Sequence, residues 1–277
     1  LVGLSTAGVV ALTTDQVSIL TSNQVLGLTT RQVAAMEVVD VVALGTAGIR
    51  MLVSAQVGAL NSSQAHALTT NQIQALTTVA IGGLTTVSVA ALTTDQASAL
   101  TAAEVAVLSA AQVGSLTSQG IIAFSTAQVE ALGSTQVLGL TTIQVRAIET
   151  ADIAALTTVG IASLSSIQVG ALLATQIPVL TTVQIRALTT VALSGLGSSN
   201  VVALTTAQAG VLSAAQVRSL SVTQMAAFET ADIAVLTTAS VAAFTSIQVG
   251  SLTTNQVSAL TTGQIRALTT AAIGGFT

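Results

Sequence analysis

The sequence predicts an all-α repeat solenoid of very short capped helices, one per eight residues. Three observations predict it. A large apolar residue returns every eight residues from Leu4 to Phe276 without a slip, and every phenylalanine of the chain sits in that register. The position after that apolar residue is usually Ser or Thr and the one three further usually Gln, which together make the pattern of a helix-opening capping box. Hydrophobic residues make up 51% of the 277 and charged residues only 6%, so there is ample apolar surface to offset the ordering of the chain.

Lettering the octad a to h from the apolar residue, the consensus is L-T-T-x-Q-V-x-A. Its clearest copies run from Leu252 to Leu268, as LTTNQVSA and LTTGQIRA. In each copy b is read as the N-cap and e as the third helical residue. This pairs Thr13 with Gln16, Thr253 with Gln256 and Thr261 with Gln264 in capping boxes that satisfy two orphan amides apiece. The same placement puts a before the cap and f at the fourth helical position. Leu12 with Val17, Leu252 with Val257 and Leu260 with Ile265 then form hydrophobic staples. The helix is expected from about c to h, where the next octad's β-branched, cap-forming threonines stop it.

At about 100° per residue, positions h, e, a and f share an arc of roughly 160°, and c, d and g face away. The outward set holds Asp15, Arg31 and Asn255 at d, and Arg50, Arg146, Arg186, Arg218 and Arg266 at g. One continuous helix is excluded, because eight residues overshoot two turns by about 80° and would wind the apolar stripe around the axis. The competing reading is a parallel β-solenoid, favoured by Val, Ile, Thr and Gly. Strict alternation, however, would separate the leucine from the valine and alanine.

A longer rhythm overlies the octad. Three octads with Gln at e (Gln56, Gln64, Gln72) precede two without it (Ala80, Ser88), and the pattern recurs at Gln168, Gln176 and Gln184 followed by Ala192 and Asn200. A forty-residue superhelical turn of five octads is expected from this, with residues forty apart stacked. Gly82-Gly83, Gly195 and Gly274-Gly275 are expected in left-handed conformations at a sharper corner. One Gln-free octad is missing near Gly120, which predicts an irregular rung within residues 92–124. The domain reading is one continuous array over 1–277, the ordered part of a longer protein.

Chemistry has few footholds. Glu37 with Asp40, Glu149 with Asp152 and Glu229 with Asp232 replace the Thr and Gln of the box. They are candidates for a calcium site, set against the simpler reading of acids at a helix N-terminus. The chain has one histidine, His66, no cysteine and no tyrosine, so metal sites and acid-base dyads lack partners. No catalytic or cofactor residue is nominated. The six positive charges are all arginine and the net charge is −4, which opposes nucleic-acid binding. Thr, Ser, Gln or an acidic residue interrupts every octad, so no transmembrane helix is expected. The lone proline, Pro178, falls at g, where it is tolerated.

The octad resembles the low-complexity L-T-x-x-Q-[VI]-x-A-L arrays of large exported bacterial surface and filament proteins over its whole length. That resemblance implies an exported structural role and carries no functional residues across. LTTDQVSIL, from Leu12 to Leu20, is locally similar to the helix start of TAL effector repeats. Those repeats are several times longer and basic, and their base-reading loop has no counterpart here. The expected function is therefore a non-enzymatic building block of an extracellular bacterial fibre, sheath or adhesin stalk, self-associating end to end, with contacts to a cell surface or matrix. The alternative is a surface-binding module that presents Thr-rich faces to ice, polysaccharide or membrane.

Overall fold

A computed structural model describes residues 3–276. It contains 33 helices of four to six residues and no strand among the described residues, so the array is helical and the β-solenoid is set aside. Contacts divide the chain into two units, Leu1–Leu140 and Thr141–Thr277.

Each octad folds as its local chemistry dictates. In the helix Thr262–Ala267 the N-cap Thr261 is extended and its hydroxyl accepts from the Gln264 amide at 3.2 Å, while Gln264 Oε1 accepts from the Thr261 amide at 2.8 Å. Thr13 with Gln16 and Thr253 with Gln256 close the same box. The chain turns at a and b. Leu260 (φ −62°, ψ 127°) and Thr261 (φ −70°, ψ 159°) are both extended, so two residues suffice to redirect each helix. A different junction occurs at Leu44, which stays right-handed helical and is followed by Gly45 at φ +60°, a conformation that favours glycine.

The predicted faces are realised. The a, e and f side chains are buried through most of the chain, and c, d and g point outward. Val17 is 1% exposed, whereas Leu12 and Leu252 are half-buried at the ends of the array. Val257 is also half-buried and Ile265 is 41% exposed, because they belong to the last octads, which no later helix covers.

Helices stack on those three octads further along. In the first unit Ala110–Ser115 packs on Ser134–Gly139 and Val38–Ala43 on Ser62–Ala67. In the second, Thr206–Gly210 packs on Thr230–Val235 and Thr142–Ala147 on Ser166–Ala171. This three-octad stacking step corrects the expected turn of five octads. The glutamine bonds that reach 28–31 residues back agree with a repeat shorter than forty residues. The two Gln-free octads therefore do not line up as one edge. Helix Val38–Ala43, centred on Asp40, packs on the helix of Gln64. The five-octad rhythm of the glutamines has no counterpart in the stacking.

Two related expectations also change. Gly82 (φ −61°) and Gly274 (φ −57°) are right-handed, and Gly45 is the only described residue at positive φ, so these glycines are not left-handed corners. Within residues 92–124 the helices Thr94–Ala99, Ala102–Val107, Ala110–Ser115 and Ser118–Ile122 follow without interruption, and Thr94–Ala99 packs on Ser118–Ile122. Stacking by three octads is indifferent to the loss of one octad from a five-octad rhythm, so no rung is broken. The one octad that loses its helix holds Pro178. Leu173 there has no capping hydroxyl and proline has no amide to donate, yet Gln176 Oε1 still accepts from the Leu173 amide at 2.7 Å.

Candidate functional site

The polar groups of the protein converge on the seam between successive turns. Gln at e has two ends, and the capping box uses only Oε1. In the first unit Gln56 Nε2 donates to the carbonyls of Val25 (3.1 Å), Leu26 (3.2 Å) and Leu28 (2.7 Å). In the second, Gln248 Nε2 reaches Val217 (2.9 Å), Arg218 (3.3 Å) and Leu220 (2.8 Å). These acceptors lie at the end of a helix four octads back and at the turn that follows it, where carbonyls lack intrahelical partners. One buried side chain thus opens its own helix and closes another nearly four octads earlier.

Local sequence reasoning sees the first role and misses the second. A signal for it exists in the substitutions at e. Ser88 Oγ donates to Leu60 O (2.9 Å), Ser240 Oγ to Leu212 O (2.7 Å) and Asn200 Nδ2 to Leu172 O (2.9 Å), each 28 residues back. Where Gln is lost, a shorter donor often keeps the same acceptor.

The acids at e depart from this rule. Asp40, Asp152 and Asp232 are buried, while Glu37, Glu149 and Glu229 stand at N-cap positions without a side-chain cap bond. Asp232 Oδ2 and Glu104 Oε1 are buried with no hydrogen-bond partner. Burial pushes the Glu104 carboxyl above its usual range, against the lowering effect of bonds from the Thr101 amide and hydroxyl. Asp232 is raised first by burial and then by the charge of Glu229, with the Thr206 hydroxyl and the Glu229 amide opposing. Among the described residues no three His, Cys, Asp or Glu side chains gather in one place. His66 is exposed, and its Nδ1 lies 2.9 Å from Ala91 O, a geometry that places the proton on Nδ1.

Glycine marks a second seam feature. Gly58, Gly114, Gly170 and Gly250 at g each lie under a glycine at h, three octads and one position further on. A Cβ on them would meet the carbonyl oxygen of Gly83, Gly139, Gly195 or Gly275 at 2.7–3.0 Å. A Cβ on any of those four later glycines would collide with a first-turn carbonyl, of Ser54, Ala110, Ser166 or Ser246 respectively. Where Gly210 faces Val235 instead, the corresponding distance is 3.5 Å. This recurring glycine spacing is written in the sequence, and it is backbone contact, not backbone handedness, that it encodes.

The outer face is uncharged over long stretches. On the stacked helices Thr142–Ala147, Ser166–Ala171 and Thr190–Leu193, the d residues Ile143, Ile167 and Val191 are about 67–73% exposed. Val159 and Val183 repeat this on a neighbouring stacked pair. The arginines at g are exposed. No described helix is long and apolar enough to cross a membrane.

The family model of the ALTTAQ repeat matches residues 1–30, 33–70, 67–102, 145–182 and 225–262, together more than half of the chain. The chain belongs to the ALTTAQ repeat family. In structural terms the LTT of the ALTTAQ motif is the turn and cap, and its Q is the seam residue that binds two helices at once. No curated protein and no solved structure matches this ALTTAQ array.

Proposed function

We propose that this ALTTAQ array is a non-enzymatic structural protein, a rigid building block of an extracellular bacterial fibre, sheath or adhesin stalk that assembles end to end. The observation that carries the reading is the polarity of every turn. Amide donors at e face the preceding turn, and carbonyl acceptors at f, g and a face the following one. A turn added from another copy would use the same groups in the same register. Gln16 and Gln24 are exposed and accept at Oε1 from the amides of Thr13 and Thr21, so their Nε2 groups carry the donor side of that polarity.

Electron microscopy of the concentrated 277-residue chain, with sedimentation velocity, tests this reading. Fibres or linear oligomers are expected, shortened in a Gln16→Ala/Gln24→Ala variant. A monodisperse monomer at millimolar concentration would sink it. The second reading, a surface-binding module, is favoured by the exposed Ile143, Ile167 and Val191 column. Its ice-binding form is disfavoured because the b hydroxyls are occupied as caps, as at Thr181 and Thr189. A thermal-hysteresis assay separates that form from the structural role.

A further inference from the structure

We infer that Glu104 works as a proton-dependent clamp between two turns: in the folded protein it is a neutral carboxylic acid whose hydroxyl donates to the Leu76 carbonyl. The argument is an internal substitution series. At Gln96, Gln112, Gln128 and Gln136 the e side chain accepts from its own N-cap amide with one atom and donates to the carbonyl 28 residues back with the other. Glu104 performs the first half. One carboxyl oxygen accepts from the Thr101 amide at 2.6 Å, and the Thr101 hydroxyl accepts from the Glu104 amide. Its other oxygen, Oε1, stands where the Nε2 of the flanking glutamines stands, buried and without a partner.

The acceptor that register assigns to it is Leu76 O. An ionised Oε1 would be an acceptor facing an acceptor, in a place closed to water. A proton taken from solvent onto Oε1 turns that repulsion into an O–H···O bond and restores the arrangement of the flanking octads.

No neighbour offers another solution. The helix Thr78–Ile81, which packs on Ala102–Val107 from one side, has no titratable group. The helix Thr126–Glu130, which packs from the other, has only the exposed Glu130, of the same sign. The helix Thr70–Ala75, whose end precedes Leu76, carries no charge either. The raised affinity of Glu104 for its proton, caused by burial, agrees with the geometry. The consequence is a seam that holds in acid and weakens locally as pH rises, in a protein whose other clamps at this position are mostly pH-indifferent amides and hydroxyls.

The test compares the full chain with Glu104→Gln, the residue its flanking octads already use, so the variant is expected to fold. Denaturation midpoints are followed from pH 4 to pH 9 in a common Asp232→Asn background, which removes the second raised acid. The two proteins should be alike in acid. The Glu104 protein should lose stability as pH rises until its folding equilibrium is about ten- to a hundredfold poorer than that of Glu104→Gln. A protonated-carboxyl infrared band at neutral pH, absent from Glu104→Gln, should accompany this. A difference between the proteins that is constant across the pH range would overturn the inference. So would recovery of the lost stability at high pH on adding sodium or calcium chloride, since a cation and not a proton would then bridge the oxygens.

Discussion

At the scale of single residues, position e is where a polar side chain has the most to satisfy, because a glutamine there donates as well as accepts. Asp232 illustrates the cost of failing to donate. Its carboxyl accepts from Thr206 on the stacked helix, leaves Oδ2 buried without a partner, and lies close to the charge of Glu229. Its folded-state affinity for a proton exceeds the unfolded one, so the folded protein binds more protons. Stability contributed by Asp232 is therefore full below the ordinary carboxylate range and is lost as pH rises through the raised value. Asp232→Asn should remove that dependence and stabilise the protein at neutral pH by about 1–3 kcal/mol, since Asn200 shows that an amide of this length reaches the carbonyl 28 residues back. Glu229→Gln should weaken the pH dependence without abolishing it, as burial remains the larger cause. Urea midpoints at pH 4 and pH 7.5 check both.

What can be read in the sequence follows the range of the interaction. The boxes at Thr13, Thr253 and Thr261 are legible because cap and partner lie three residues apart, and the staples are legible for the same reason. The second bond of each glutamine is legible only through the shorter donors that replace it at Ser88, Asn200 and Ser240, because its acceptors are backbone atoms nearly four octads away. The length of the turn escapes the same reading because the composition of e repeats every five octads, whereas stacking is set by how many eight-residue units surround a filled core. Gly83, Gly139, Gly195 and Gly275 carry the missing distance. Each has a partner glycine just over three octads before it.

Among elements, helices this short are marginal by propensity, and caps with tertiary contacts must hold them. The ordering of mutations should reflect that division. Ser213→Ala removes one local cap and should cost about 1 kcal/mol. Gln216→Ala removes the Oε1 bond to the Ser213 amide and the Nε2 bonds to Ile185, Arg186 and Leu188, and several such buried bonds together should cost about 2–4 kcal/mol. Equal losses in thermal denaturation would show that the long-range half of the glutamine is idle. Gly195→Ala should cost about 1–3 kcal/mol by forcing two backbones apart, as overpacking does, and Gly197→Ala should be nearly neutral because nothing lies within 4 Å of the added carbon. The contrast between two glycines so close in the chain isolates contact from flexibility, and calorimetry of the pair measures it.

Over the whole molecule, stability is built almost without charge. Only 6% of residues are charged, and the buried set is mostly aliphatic side chains and glutamine amides, with the carboxyls of Asp40, Glu104, Asp152 and Asp232 as its few acids. Screening has little to act on, so the denaturation midpoint in urea should change by less than about 0.5 kcal/mol equivalent between low salt and 0.5 M sodium chloride. A larger shift would point to an electrostatic network at the exposed arginines.

The backward reach of each glutamine has one more consequence, and it concerns time. Each seam bond of a glutamine from Gln56 to Gln264 is formed by a later residue on an earlier one, never more than 31 positions behind it. A growing chain leaving the ribosome therefore meets, at each new octad, a surface already complete and waiting. The molecule is suited to be wound on as it is made, one turn ahead of the next, with no pairing that must wait for the end of the chain.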